Sequence, residues 1–149
     1  MTRTYGRIFG GNRLYYPVPY HRGSKYSIIG AISYQKIVAS LYCEDSINGD
    51  IFSEFIEQCL VPILEPRHHV IMDNVAFHKI EKAENLIKAT GANIIYLPPY
   101  SPDLSPIELM WSKIKTVLRK YAARTADCFQ QAISEAFYSI TSSDLLGWV

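Results

Sequence analysis

The sequence predicts an α/β fold, a mixed sheet with helices on its faces, from three observations. Two β-rich runs, 25–34 and 36–45, are joined by so short a connection that we expect an antiparallel hairpin. The apolar run HVIMDN (69–74), a helical stretch and the run NIIYL (93–97) then form a strand-helix-strand crossover. Such a crossover nearly always makes two parallel strands of one sheet. Helical periodicity dominates the chain from Pro106 onwards.

The remaining elements follow from local signals. Residues 48–50 indicate a helix start, after which Ile51, Phe55, Cys59 and Ile63 would share one face. The stretch 78–91 predicts a helix that stops at Gly91. Two more helices are expected at about 106–122 and 126–140. The run RLYYPVPY (13–20) is a weaker, edge-like strand candidate, because proline cannot donate to a ladder.

Composition limits the class of protein. With 149 residues, 48% of them hydrophobic, we expect a single domain with a sizeable core. Cys43, Cys59 and Cys128 lie far apart without CxxC spacing, which predicts a reduced, cytoplasmic protein with neither disulfides nor a zinc site. No apolar run approaches membrane-spanning length. The net charge of +1 does not identify a partner, because a balanced total can hide a basic patch.

Two carboxylates are predicted to lie at one edge of the sheet. Asp73 ends the first strand of the crossover. Glu108 follows the second strand through a loop that contains Pro98, Pro99, Pro102 and Pro106. The two acids are 35 positions apart (108 − 73), and the carboxyl ends of parallel strands meet at the edge where α/β proteins bind ligands. Mg²⁺ prefers such oxygen ligands, and prolines lower the entropy lost in ordering one.

Each of these residues also has a purely structural interpretation. Ser105, Pro106 and Glu108 match a helix capping box, and Asp73 before Asn74 could be a turn residue. Asp103 fits an Asx turn. His78 and Lys79 at a helix start are more often solvated or packed than catalytic. The pair His68-His69 lacks a second ligand pair at zinc spacing.

Basic residues cluster in two segments, one of which follows Glu108. Glu108, Ser112, Lys115 and Arg119 share one face of the predicted helix, next to an apolar face with Ile107, Trp111, Ile114 and Leu118. An exposed row of basic side chains usually serves only to keep a helix soluble. Beside a carboxylate site, however, it could bind the phosphate backbone of a nucleic acid. The N-terminal segment mixes arginines with tyrosines, which is weak support for nucleic-acid contact. The candidate DNA-contacting residues are Lys113, Lys115, Arg119, Arg3 and Arg7.

Two blocks, IMDNVAFHK (71–79) and IIYLPPYSPDLSPIELMWSKIK (94–115), closely resemble the second and third catalytic blocks of DDE transposases. The match is to the bacterial insertion-sequence branch of the mariner-like superfamily, whose spacing of 34 residues separates Asp73 from Glu108. RTYGR, GSKYSIIGAIS and ITSSDLLGW are also similar to that family, so the resemblance covers essentially the whole chain.

The resemblance implies a ribonuclease-H-like fold and a three-carboxylate site with two Mg²⁺ or Mn²⁺ ions. It also implies DNA strand cleavage and transfer by two-metal phosphoryl transfer. Asp73 matches the second acid of the family and Glu108 the third. The capping-box geometry and the metal role are compatible.

The sequence departs from the family at its start. The first acid of the family lies on a central strand just upstream of the TRTYGR-like segment, whereas this chain begins Met1-Thr2-Arg3. We therefore expect residues 1–149 to be an N-terminally truncated catalytic domain that lacks the first strand, its Asp and the helix-turn-helix region. Glu44 and Asp45 end an outer strand, roughly 10 Å from the missing position, too far to bridge ions about 4 Å apart.

Three functional interpretations remain open at this point. The chain is the downstream part of a DDE transposase, inactive alone with weak metal binding; or a silent nucleic-acid-binding remnant; or a subunit completed by an upstream polypeptide or a second copy.

Overall fold

The computed structural model describes residues 25–44, 46–121 and 125–148. The predicted strand at 13–20, Asp45, Arg3 and Arg7 lie outside these residues. The chain divides into two compact units, which we describe separately: residues 25–109 with 141–148, and residues 110–140.

The larger unit opens with the expected hairpin. Strand β1 (Tyr26–Ile32) pairs antiparallel with β2 (Ile37–Glu44), and the ladder shifts register between Ala31 and Ile32. Ser33 closes the turn, where its N–H donates to the Lys36 carbonyl at 2.9 Å.

The first helix shows one difference from the prediction. Helix α1 (Gly49–Phe55) starts at Asn48, whose side chain accepts from the Ile51 N–H, and continues as a π-helical turn, Ile56–Leu60. A π turn has i→i+5 hydrogen bonds and therefore rotates less per residue than an α turn. Residues that follow it lie on a different face from the one that regular α-helical spacing predicts. Phe52, Phe55, Ile56 and Leu60 are buried, whereas Ile63, expected on that face, is 41% exposed.

The crossover is confirmed. Strand β3 (His69–Met72) runs parallel to β4 (Asn93–Tyr96), with His69 opposite Asn93 and Met72 opposite Tyr96. Helix α2 (Glu81–Ala89) connects them, preceded by a 3-10 turn, Ala76–Lys79. Gly91 ends the helical segment with φ +82°, and a Cβ there would lie 3.0 Å from Pro66.

All four strands pack on one hydrophobic core. Its buried members come from α1, the π turn, α2 and the loop before β4: Phe52, Phe55, Ile56, Leu60, Ala83, Ile87 and Ala92. Within the described residues, the antiparallel and parallel pairs form separate two-stranded sheets instead of one mixed sheet.

The C-terminal part of the chain is helical. Helix α3 (Ile107–Tyr121) is continuous from the larger unit into the smaller one, which also contains α4 (Ala126–Tyr138). Helix α5 (Ser142–Trp148), which we did not predict, belongs to the larger unit. No helix in the part of the chain that is described is long and apolar enough to cross a membrane.

Candidate metal and nucleic-acid site

The parallel pair brings Asp73 and the proline loop to the same edge of the sheet. The Leu97 N–H donates to the Met72 carbonyl at 2.8 Å, which extends the β3–β4 ladder beyond Met72 and Tyr96. Asp73 is the next residue on one chain segment, and Pro98 is the next on the other. Both strands therefore deliver their following residues to the carboxyl edge, as the crossover predicts.

Asp73 is held by His78, for which the sequence predicts a packed or solvated side chain. The Asp73 side chain is 53% exposed, and the Nδ1 atom of His78 contacts its Oδ1 atom. The imidazole is 19% exposed and packs at 4.6 Å from the ring centroid of Phe52 and 4.4 Å from that of Phe77. His78 is therefore packed and at the same time aimed at the carboxylate. The 3-10 turn creates this contact, which residue spacing alone did not reveal.

Tyr96 connects this histidine to β4 and α2. Its hydroxyl lies 3.1 Å from the His78 carbonyl and 2.9 Å from Glu84 Oε1, so one proton is shared between two acceptors. Burial and the Glu84 hydrogen bond raise the pKa of Tyr96 to about 12. Hydrogen bonds from Lys88 and then Tyr96 lower the pKa of Glu84, and Lys88 Nζ lies 2.7 Å from Glu84 Oε2. The network anchors the segment that carries His78.

The proline loop folds into a sequence of tight turns before α3. Ser101 Oγ donates to the Pro99 carbonyl at 3.3 Å, and a 3-10 turn follows at Pro102–Leu104. The Ser105 N–H donates to the Pro102 carbonyl at 2.9 Å, and the Glu108 N–H donates to the Ser105 carbonyl at 3.0 Å. Backbone bonds thus lead directly into the first turn of α3, where Glu108 lies.

Glu108 is exposed and does not act as the reciprocal cap. Among the residues that the structure describes, its carboxylate has neither a hydrogen bond nor an ion-pair partner. It lines an open groove of about 460 Å³, together with Asp103 and Trp148. The remaining lining residues are Pro102, Leu104, Ser105, Pro106 and Leu109. Asp103, expected to close an Asx turn, instead lies exposed in the 3-10 turn of this groove.

The basic face of α3 is present as expected. Ser112, Lys115 and Arg119 are exposed, whereas Met110, Ile114 and Leu118 are buried on the apolar face. Lys113 is half-buried. The exposed cations therefore follow Glu108 along one face of a single helix.

The other His, Glu and Cys residues considered as possible ligands lie as follows in the described residues. His68 Nδ1 accepts from the Glu65 N–H at 3.0 Å, and His69 is exposed. Glu44 is exposed at the end of β2. The three cysteines are unpaired.

Two exposed carboxylates have the chemistry that a hard divalent cation requires. Asp73 and Glu108 offer accessible carboxylate oxygens, the ligands that Mg²⁺ and Mn²⁺ prefer. In residues 25–44, 46–121 and 125–148, no three His, Cys, Asp or Glu side chains come close enough together to hold an ion. The described part of the chain thus supplies two acids but no three-ligand cluster.

A family model for the DDE superfamily endonucleases matches residues 1–131. The chain belongs to the DDE superfamily endonucleases. This confirms the family resemblance, whereas the bacterial insertion-sequence branch stays a prediction. No curated protein matches the chain by sequence.

Solved structures of the Mos1 mariner transposase share the fold. The Mos1 strand transfer complex is 13% identical, with a TM-score of 0.77 over 98% of this chain and 45% of that one. The Mos1 paired-end complex with Mn is 13% identical, with a TM-score of 0.78 over 96% and 45%. The Mos1 catalytic domain is 12% identical, with a TM-score of 0.68 over 84% and 72%. The ribonuclease-H-like α/β class is thereby confirmed, and the chain spans less than half the length of the Mos1 chains in the two complexes.

Proposed function

We propose that this chain carries part of a transposase site for DNA strand cleavage and transfer, in which Asp73 and Glu108 are two of the metal-binding carboxylates. The observation that carries the proposal is the shared edge of β3 and β4. Asp73 follows one strand, and a loop stiffened by prolines leads from the other to an exposed, unpartnered Glu108, in a chain of the DDE endonuclease family.

The two acids would bind Mg²⁺ or Mn²⁺. When bound, the ions supply activation of a water or a DNA 3′-hydroxyl and stabilisation of the leaving oxygen. The chain supplies orientation. His78 fixes one Asp73 oxygen from the protein side, which leaves the other oxygen for a cation. The hydrogen-bonded turns of the proline loop limit where Glu108 can lie.

DNA is the proposed partner. Lys115 and Arg119 are exposed cations of α3, and such side chains are suited to contact DNA phosphates. Lys113 on the same helix and the N-terminal Arg3 and Arg7 are further candidates for phosphate contact. The Mos1 neighbours include complexes with transposon ends, in keeping with this partner.

A second candidate function is binding of nucleic acid without catalysis. It is favoured because only two of the three acids of the family site are assigned in this chain. Because the described residues contain no three-ligand cluster, we propose that residues 1–149 bind metal weakly and are inactive alone. A third acid would then come from an upstream transposase polypeptide or a second copy of the chain.

Mn²⁺ binding tests the site directly. Electron paramagnetic resonance of free Mn²⁺, titrated with the chain, should show weak binding that Asp73→Asn or Glu108→Gln reduces about tenfold or more. Glu54→Gln, at an exposed acid of α1, is the matched control and should leave binding unchanged. Equal binding by all four proteins would contradict the assignment of the two carboxylates.

A further inference from the structure

Tyr100 is the residue of the proline loop that the metal site leaves unexplained. Its backbone φ of 57° lies in the left-handed region, which bulky side chains rarely adopt. The side chain is fully exposed, at 102%, so burial of the ring does not offset this conformation. Strain of this kind persists only where the surrounding structure imposes it, and it clusters at functional sites.

The loop holds this residue from both sides. Pro98 and Pro99 precede it, and Pro102 follows one residue after Ser101. The Ser101 hydroxyl donates to the Pro99 carbonyl at 3.3 Å across Tyr100, and the Leu104 N–H donates to the Ser101 carbonyl at 3.2 Å in the turn that follows. The aromatic ring is therefore presented to solvent from a restricted backbone, on the segment that joins β4 to Glu108.

The charges of the loop indicate what the ring can bind. Residues 97–109 contain Asp103 and Glu108 but no Lys or Arg, so the loop itself repels a phosphate. An uncharged base is a suitable ligand, since the face of a nucleobase stacks on an aromatic side chain without regard to base identity.

We propose that Tyr100 is a stacking platform for an unpaired base of the DNA strand held at the Asp73–Glu108 edge. The inference rests on the proposed function, because it assumes that DNA is bound at this edge. It adds a specific contact, in which the base flanking the bound phosphate leaves its own stack and packs on the phenol ring.

The test uses the chain 1–149 in Mn²⁺ buffer with a short single-stranded oligonucleotide that carries 2-aminopurine, whose fluorescence falls on stacking. Tyr100→Leu and Tyr100→Gly should weaken binding roughly 5- to 100-fold and abolish the quenching, whereas Tyr100→Phe should bind within about twofold. The melting temperature of Tyr100→Gly should stay at or above that of the unsubstituted chain, because glycine adopts positive φ without strain. Tyr138→Leu, at an 89% exposed tyrosine of α4, should change nothing.

The remaining outcomes overturn the inference. Unchanged affinity of Tyr100→Leu would mean that the ring carries no DNA contact and would leave a protein partner as its occupant. Equal losses in Tyr100→Phe and Tyr100→Leu would exclude stacking. Failure of the unsubstituted chain to bind the oligonucleotide would also overturn it, whereas the carboxylate site is judged separately by Mn²⁺ binding that depends on Asp73 and Glu108.

Discussion

At the residue scale, the His78 side chain has two roles that a substitution can separate, packing in the core and hydrogen bonding to Asp73. The imidazole contributes a ring that packs on Phe52 and Phe77 and a donor that reaches the carboxylate. His78→Phe would keep an aromatic ring in place and remove the donor. Hydrogen bonds to metal ligands typically change metal affinity by about 10- to 100-fold when they are lost.

We therefore expect His78→Phe to weaken Mn²⁺ binding roughly tenfold while the melting temperature changes little. Paramagnetic resonance and a thermal melt on the same samples measure the two effects. His69→Phe, at an exposed histidine of β3, is the control. A His78→Phe variant that unfolds, or that binds Mn²⁺ normally, would assign the residue to packing alone.

The pKa of Tyr96 gives a second expectation at this scale. Since folding raises this pKa to about 12, the stabilisation from neutral Tyr96 is complete below the ordinary tyrosine value near 10 and is lost as the pH rises through 12. A spectrophotometric titration of tyrosinate should show one late-titrating group that Tyr96→Phe removes. Glu84→Gln should move that group to lower pH, since it removes the charge. Tyr138→Phe should retain the late group, and its loss there would contradict the assignment.

At the element scale, the two faces of the parallel pair differ sharply in burial. Val70 and Ile94 pack against the core, whereas Ile71 and Ile95, which are register partners, are 58% and 45% exposed. Ile94→Thr should therefore cost about 1–3 kcal/mol of unfolding free energy, because it places a hydroxyl in the core. Ile95→Thr, one position further on the same strand, should change it by about 0.5 kcal/mol or less. Urea unfolding measures both, and equal losses would show that the outer face is covered.

The elements also show what the sequence could and could not predict. The parallel pair followed from a strand-helix-strand pattern, because the handedness of that crossover leaves essentially one arrangement. Of the face predicted for the first helix, Phe55 is buried as expected, whereas Ile63 is exposed because it lies beyond the π turn at 56–60, and periodicity rules assume a regular helix. Helix α5 was missed although Thr141 and Asp144 form a capping pair, in which Asp144 Oδ2 lies 2.7 Å from the Thr141 N–H.

At the candidate site, the sequence singles out only the two acids, and their role as metal ligands stays a prediction. Asp73 and Glu108 are selected by the predicted ends of strands and by a family motif, and both signals can be read from residue types and their spacing. His78 and Tyr100 depend on backbone geometry, namely a 3-10 turn and a positive φ, which residue types alone do not specify.

At the scale of the whole molecule, activity depends on the number of carboxylates. Two-metal phosphoryl transfer requires enough charge to hold both ions, and the described residues offer no three-ligand cluster. We expect no nicking or strand transfer of supercoiled DNA by residues 1–149 with Mg²⁺ or Mn²⁺. Agarose gels of plasmid topology measure this, with Asp73→Asn as the control for contaminating nuclease. Metal-dependent nicking that Asp73→Asn or Glu108→Gln abolishes would mean that the chain supplies a third ligand itself.

Open sheet edges give the last expectation. Within the described residues the hairpin and the parallel pair are separate two-stranded sheets, and Ile71 and Ile95 on the parallel pair are exposed apolar side chains. Edges of this kind invite pairing with another chain. We therefore predict that residues 1–149 self-associate, and that a polypeptide with an apolar strand that ends in Asp, when added, competes with this association and gives a monomeric, more cooperative unit.

Light scattering and thermal melts of the chain, alone and with that polypeptide, measure both effects. The double variant Ile71→Lys and Ile95→Lys should reduce self-association, whereas Leu146→Lys, at a 63% exposed leucine of α5, should not. If the lone chain is monomeric and melts cooperatively, and the added strand changes neither property, then the open edges are not a site of association.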